Sequence, residues 1–348
     1  MNLTERINAF VQLGEELEKV LNGNAITEGG KKLTQLIPEI HHRNGWFTEN
    51  NIRHRLENLA AGLKKEVLEK WLSGYAIANI PPLKKIGVIL AGNIPLVGFD
   101  DFRCVLLSGN LFFGKLSSDD KLLLPLIAEM LVEKEPRFKT HIVFTEGQLK
   151  GMDAIIATGS NNSARYFEHY FGKYPHIIRG NRNGVAVLSG NETKKELENL
   201  GEDIFRYFGL GCRSVTKLFV PENYDFSLFF ESIYNRGDEI LSNSKYMNNY
   251  DYHKTLYLLS SFPLLDNNFL LLKEDKAISS PPGVVFYEKY NDLSALHEKL
   301  NEDEAKIQCI IAQKDRIENA VPFGHSQLTG PSDYADGVDV LKFLTNLI

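Results

Sequence analysis

Between residues 85 and 171, short apolar runs alternate with helical patterns, and this alternation leaves the chain few folds to choose from. Residues 85–91 (KIGVILA), 111–115, 141–144 and 154–157 are strand-sized. Helical patterns at 96–108, 121–133 and 163–171 separate them. Near-continuous apolar runs of this length, bounded by turn residues, suit strands covered on both faces. Strands spaced by helices must run parallel, so the expected fold is a doubly wound α/β sheet. A second set of strands is expected at 184–189, 216–220, 255–259, 283–287 and 307–312, with helices at 194–208, 227–234 and 292–300. Residues 1–75 read as helices instead. Leu3, Ile7, Phe10, Val11 and Leu13 mark one apolar face, and Ile52, Leu56, Leu59, Leu63, Val67 and Trp71 mark another within 48–73. Thr48 with Asn51 gives that second helix an incomplete capping box. A stretch at 340–347 closes the chain as a helix or strand.

Ligands bind parallel sheets at the carboxyl ends of the strands. Three polar loops follow strands here: Gly92-Asn93-Ile94-Pro95, Lys115-Leu116-Ser117-Ser118 and Thr158-Gly159-Ser160-Asn161-Asn162. No GxGxxG fingerprint accompanies them. Lys115 and Ser117 suit a ribose or phosphate, and Thr158-Gly159-Ser160 suits a pyrophosphate at a helix N-terminus. Each of these residue types is more often a turn or cap residue, so the weight lies in their joint placement.

Residues 207–221 (YFGLGCRSVTKLFVP) set a cysteine, Cys212, between a glycine-bearing turn and a strand. Glycines beside a thiol permit unusual dihedrals and close backbone approach. The competing reading is a helix stop followed by a small packing cysteine. Cys104 and Cys309 lie inside apolar runs and read as core. The three cysteines form no CxxC, and His41-His42 lacks further ligands at metal spacing, so no metal site is expected.

A net charge of −6 argues against a broad nucleic-acid surface. The N-terminus lacks the basic and apolar regions of a signal peptide, and no apolar run reaches membrane-spanning length. A cytoplasmic protein with reduced thiols is the expectation.

In their order, these motifs resemble the aldehyde dehydrogenase superfamily, and within it the acyl-CoA reductase (fatty-acid reductase) family of the bacterial bioluminescence pathway. Residues 91–95 look like the superfamily's Trp-Asn-x-Pro segment, which implies that Asn93 is an oxyanion-hole donor. Gly109-Asn110 with Lys115, Ser117 and Ser118 is similar to the segment that holds the adenosine ribose. Thr158, Gly159 and Ser160 resemble the turn under the pyrophosphate, and Cys212 falls at the nucleophile. The tail, with Phe323-Gly324 and residues 334–338 (YADGV), is most similar to the acyl-CoA reductase branch. The resemblance implies two Rossmann-like domains with an N-terminal helical segment. The boundaries are then 1–80 for that segment, 81–183 for an NAD(P)-binding domain, 184–322 for a catalytic domain and 323–348 for a closing segment.

Two departures refine the reading. Where the dehydrogenases carry Glu-Leu-Gly-Gly, residues 178–183 (IRGNRN) hold no carboxylate. Without that base, water attack on an acyl-enzyme slows and exchange with a thiol is favoured, which implies CoA-linked acyl reduction. Ser118 stands where NAD-preferring members carry Glu, so NADPH is permitted alongside NADH. His176 is the candidate general base and His169 the alternative. His325 and Asp336 read as residues that order the tail. The substrate implied is an acyl-CoA, with an acyl-protein synthetase partner and a homo-oligomer as family features. A CoA-acylating aldehyde dehydrogenase for a smaller aldehyde is a second reading, and a non-catalytic acyl-binding or assembly relative a third.

Overall fold

The computed structural model describes residues 1–78 and 83–347. The expected boundary at 80/81, with Pro81-Pro82, lies outside the described residues. Two compact units divide the chain, Met1–Gly180 with Thr329–Ile348, and Asn181–Leu328.

The first unit carries a parallel sheet of β1 (Lys85–Ile89), β2 (Leu111–Lys115), β3 (Ile142–Thr145), β4 (Ala154–Thr158) and β5 (His176–Arg179). Their order is β3-β2-β1-β4-β5, so the winding reverses between β1 and β4. Ile86, Val88 and all of Ala154–Ala157 are fully buried, which explains runs without polar alternation. The helix expected from residue 96 begins later, at Phe99, and runs to Leu107. Leu96 has a positive φ of 54° just after Pro95, a conformation that no helix accommodates.

The N-terminal helices share one core with this sheet. Helix Leu3–Leu21 starts in a capping box, where Asn2 accepts from the Glu5 N–H at 2.9 Å and Glu5 accepts from the Asn2 N–H at 2.7 Å. Its Phe10 ring meets Phe99, Phe102 and Phe138 edge-on at 6.0–6.5 Å. The helix expected over 48–73 is two, Glu49–Gly62 and Lys65–Leu72, because Lys64 is extended. That break seats Leu63 against Gly14, where a Cβ would lie 2.8 Å from it.

The C-terminal tail completes the same unit. Leu341 and Leu344 of helix Val340–Thr345 enter its core. The Tyr334 hydroxyl accepts from Trp71 Nε1 at 2.9 Å and shares a 2.7 Å hydrogen bond with Tyr75, which donates to Asp339 at 2.9 Å.

One buried carboxylate gives this unit an acid sensitivity. Glu16 accepts from the backbone N–H groups of Ile26 and Thr27 at 2.7 and 2.8 Å and pairs with Lys134 at 3.0 Å. Burial pushes the carboxyl up, but these donors outweigh it and hold it at about 2. Its folded pKa lies below the unfolded one, so the stabilisation is present above about pH 4.5 and is lost as pH falls towards 2. Glu16→Gln is expected to cost about 2–3 kcal/mol at pH 7. In urea melts the difference from wild type should narrow steadily below pH 4; a constant difference would refute the assignment.

The second unit holds β6 (Asn183–Val187), β7 (Val215–Pro221), β8 (Leu265–Asp266), β9 (Leu271–Glu274), β10 (Val284–Tyr290) and β11 (Ile307–Ile311). The order is β11-β6-β7-β10-β9-β8, and only β8 with β9 runs antiparallel among the described residues. The strand expected at 255–259 is instead the end of helix Ser244–Leu259. Asn243 caps that helix at the Tyr246 N–H (3.0 Å), and Tyr250 packs against Gly283, where a Cβ would meet Tyr250 Cα at 2.8 Å. Three of the five residues at 255–259 are leucines, which favour helix, so the run extends the helix that Asn243 starts. The molecule is thus α/β, with one parallel sheet, a second that is parallel apart from its edge strand β8, and an N-terminal helical segment.

Candidate active site

In the first unit the three polar loops leave the carboxyl edge, and those after β1 and β4 flank the point where the winding reverses. This is the position where open α/β sheets bind nucleotides. Gly92 lies so close to the next loop that a Cβ would sit 2.6 Å from Ser117 Oγ. Ser117 Oγ also accepts from the Asp119 N–H at 3.2 Å within its own loop. Lys115 closes β2 half-buried, in register with Ile89 and Thr145, and Ser118 beyond it is exposed.

After β4, a Cβ on Gly159 would lie 2.9 Å from Ser163 and 3.0 Å from Phe167, so only glycine lets the strand end meet the helix this closely. Ser160 caps helix Asn161–Phe171 by accepting from the Ser163 N–H at 3.2 Å. The Thr158 hydroxyl accepts from Arg179 Nη1 at 3.4 Å. Arg179 is itself held by Asp101 in a buried two-point pair at 2.7 and 3.0 Å. A lysine at one strand end and a capped helix start at another, with glycines where backbone must come close, fit the phosphates and ribose of a dinucleotide.

His176 does not join this edge. It opens β5 at the amino end of the sheet, paired with Ile155. Its Nδ1 lies 2.8 Å from the Tyr174 carbonyl and its Nε2 3.5 Å from Glu168. Asn93 follows the carboxyl end of β1, so the two residues expected around one thiol lie at opposite edges of one sheet. At about 3.3 Å per residue, a strand of this length holds those edges roughly 13–16 Å apart. His169 sits exposed on helix Asn161–Phe171. The His41 and His42 rings lie 3.8 Å apart and tilted by 40°, and the described residues contain no cluster able to hold a metal.

In the second unit, helix Lys194–Phe205 stops three residues before the end expected from the sequence at 208. Tyr207, Phe208 and Gly209 then take φ values of 55°, 56° and 75°. Left-handed backbone suits Gly209, but it is strained for two aromatic residues, at about 1–3 kcal/mol each. Their side chains pin it: both are buried, and Phe208 lies 6.1 Å from Tyr246. The turn continues through Ser214, whose N–H donates to the Gly211 carbonyl at 3.0 Å, and carries a half-buried Cys212 to the start of β7. Arg213 turns its Nε to the Ser326 carbonyl at 2.6 Å.

Cys104 is core, as expected, and burial pushes its pKa up. Cys309 is not. Its Sγ reaches the Arg213 carbonyl at 3.8 Å, beside the Cys212 turn, and burial, with Cys212 adding and Arg213 subtracting, raises its pKa to about 12. No local pattern in the sequence marks that approach, which depends on β11 lying next to β6. His325 stands on the loop that meets Arg213, its Nδ1 at 3.0 Å from the Phe323 carbonyl. Asp336 sits in a tight turn of the tail with φ 59°.

A profile of the family described as Acyl-CoA reductase (LuxC) matches residues 34–228, more than half of the chain. Among solved structures, aldehyde dehydrogenase 21 from Physcomitrella patens, in complex with its reaction product succinate, is similar at a TM-score of 0.70 and 14% identity, covering 100% of this chain and 84% of that one. A NAD-dependent benzaldehyde dehydrogenase from Corynebacterium glutamicum is similar at a TM-score of 0.65 and 13% identity, covering 90% and 76%. At such identities the likeness is one of fold. Comparison with curated proteins gave no match.

Proposed function

Because the chain belongs to the acyl-CoA reductase (LuxC) family and has an aldehyde dehydrogenase-like fold, we propose that it reduces a fatty acyl-CoA to the aldehyde through a thioester on Cys212. Family and fold together make it an oxidoreductase of aldehyde chemistry. The observation that supports the role of Cys212 most is the strained turn at 207–209, since backbone strain of this kind concentrates at functional sites.

In this reading the Cys212 thiolate forms a bond to the thioester carbonyl carbon. The carbon–sulfur bond to CoA then breaks, and the CoA thiolate leaves and takes up a proton. Asn93 donates to the oxyanion that develops in between. Thr158, Gly159 and Ser160 hold a pyrophosphate, and Lys115, Ser117 and Ser118 hold the ribose, so residues 81–183 serve the cofactor and 184–322 the nucleophile. A reduced nicotinamide dinucleotide, when bound, supplies the hydride to the acyl carbon. Collapse of the resulting thiohemiacetal breaks the Cys212 carbon–sulfur bond, releasing aldehyde and restoring the thiolate. Residues 178–183 offer no carboxylate to activate water, so the acyl group leaves by reduction rather than hydrolysis. Ser118 leaves room for a 2′-phosphate and favours NADPH. An acyl-protein synthetase is a candidate acyl donor alongside CoA. No helix among the described residues is long and apolar enough to cross a membrane, and a cytoplasmic setting fits three thiols.

Intact-protein mass spectrometry tests the whole sequence of steps. After mixing with a long-chain acyl-CoA, an acyl adduct is expected on Cys212, and NADPH should discharge it as aldehyde. No adduct with any chain length would overturn the proposal.

A further inference from the structure

Residues on both sides of Cys212 are gripped by one loop, and that loop is gripped by one buried carboxylate. Asp203, on the last turn of helix Lys194–Phe205, has no solvent exposure. Its Oδ2 accepts from the Gly324 N–H at 2.6 Å and its Oδ1 from the Ser326 N–H at 2.9 Å. The Ser326 carbonyl in turn accepts from Arg213 Nε at 2.6 Å. Gln327 donates from Nε2 to Ser214 Oγ at 3.3 Å, and a Cβ on Gly211 would lie 3.5 Å from the Gln327 amide. Gly211, Arg213 and Ser214 therefore all lean on residues 326–327, and Cys212 lies between them. Gly324 has φ 84° and packs on Asn199 of the same helix as Asp203, where a Cβ would sit 3.0 Å from the Asn199 Cβ.

We propose that Asp203 is a positioning residue for the Cys212 thiol, acting through the main chain of Ser326 on Arg213. The inference rests on Cys212 being the nucleophile. Only a carboxylate presents two acceptor oxygens to the two N–H groups; an amide there must turn its NH2 towards one of them. Burying the carboxylate is costly, and burial raises its pKa to about 6, although the Gly324 and Ser326 donors pull the other way.

The test is a double-mutant cycle of Asp203→Asn and Arg213→Met, read in two ways. Each single variant should slow acylation of Cys212 by a long-chain acyl-CoA about 10²-fold, the loss expected for a nucleophile displaced by about 1 Å. The double variant should be no slower than the slower single, because both act through Ser326. Asp203→Glu should recover part of the rate. Hydrogen exchange, followed by mass spectrometry, should quicken in peptides covering both 322–328 and 207–216 in Asp203→Asn. Multiplicative losses in the double variant would overturn the proposal, as would loosening confined to 322–328 with acylation at the wild-type rate. If Asp203→Asn fails to fold, Asp203→Glu takes its place in the same cycle with Arg213→Met. Hydrogen exchange needs no acyl chemistry, so a wild-type chain that accepts no acyl group would count against the reductase reading and leave the exchange result to judge the clamp.

Discussion

On the proposed mechanism, Cys212→Ala is expected to lose acyl transfer and aldehyde formation by at least about 10⁴-fold, since the covalent intermediate forms on that thiol. The side chain is only half-buried, so truncating it should change stability by no more than about 1 kcal/mol. Loss of activity with an unchanged melting temperature therefore separates chemistry from folding. Cys212→Ser, with a weaker nucleophile in the same place, should fall between alanine and wild type. Turnover that persists in Cys212→Ala, measured as NADPH consumed per acyl-CoA, would remove Cys212 from the mechanism. Cys309 would then become the next thiol to examine, because it reaches the same turn.

The largest loss of stability is expected from Asp101→Asn. Asp101 and Arg179 are 7% and 5% exposed, and both guanidinium–carboxylate hydrogen bonds lie within 3.0 Å. Removing one partner leaves a charge stranded in low dielectric, which typically costs 3–5 kcal/mol, or roughly 6–20 °C in Tm for a unit of this size. Replacing both partners with apolar residues (Asp101→Leu with Arg179→Met) should recover much of that loss, because the stranded charge goes as well. Arg179 also donates to Thr158, so on the proposed cofactor role of Thr158 the single variant should weaken dinucleotide binding beyond what unfolding explains. A thermal melt within 2 °C of wild type would show that the pair contributes little.

Much of the fold could be read from local pattern because the central strands of the first sheet, β1 and β4, are buried on both faces. Ile86, Val88 and Ala154–Ala157 announce themselves as uninterrupted apolar runs, and the loops at their carboxyl ends follow from the rules of parallel sheets. What escaped depends on contacts distant in sequence or on strained backbone. Residues 255–259 read as a strand-sized apolar run, but the run continues a helix capped at Asn243 and anchored by Tyr250 on Gly283, and its three leucines favour helix. Leu96, Tyr207 and Phe208 take left-handed conformations that their residue types disfavour, so no propensity reports them. His176, the candidate base, lies close in sequence to residues 178–183, but a parallel strand carries its first and last residues to opposite edges of the sheet. Asp203 looked like one more charged residue on a Glu-rich helix; its meaning comes from residues 324–326, which only the folded chain brings to it.

The tail has a consequence for how the protein is made. Residues 181–328 form a complete unit inserted within another, and the first unit receives Val340, Leu341 and Leu344 from the far end of the sequence. During synthesis the inserted unit can therefore close while the earlier one still lacks its last helix. Termination just after residue 328 would release a chain whose Asn181–Leu328 unit is whole, but whose Trp71 and Tyr75 have no Tyr334 to bond. Quality control of nascent chains should accordingly act on the first unit, although it is the first to leave the ribosome.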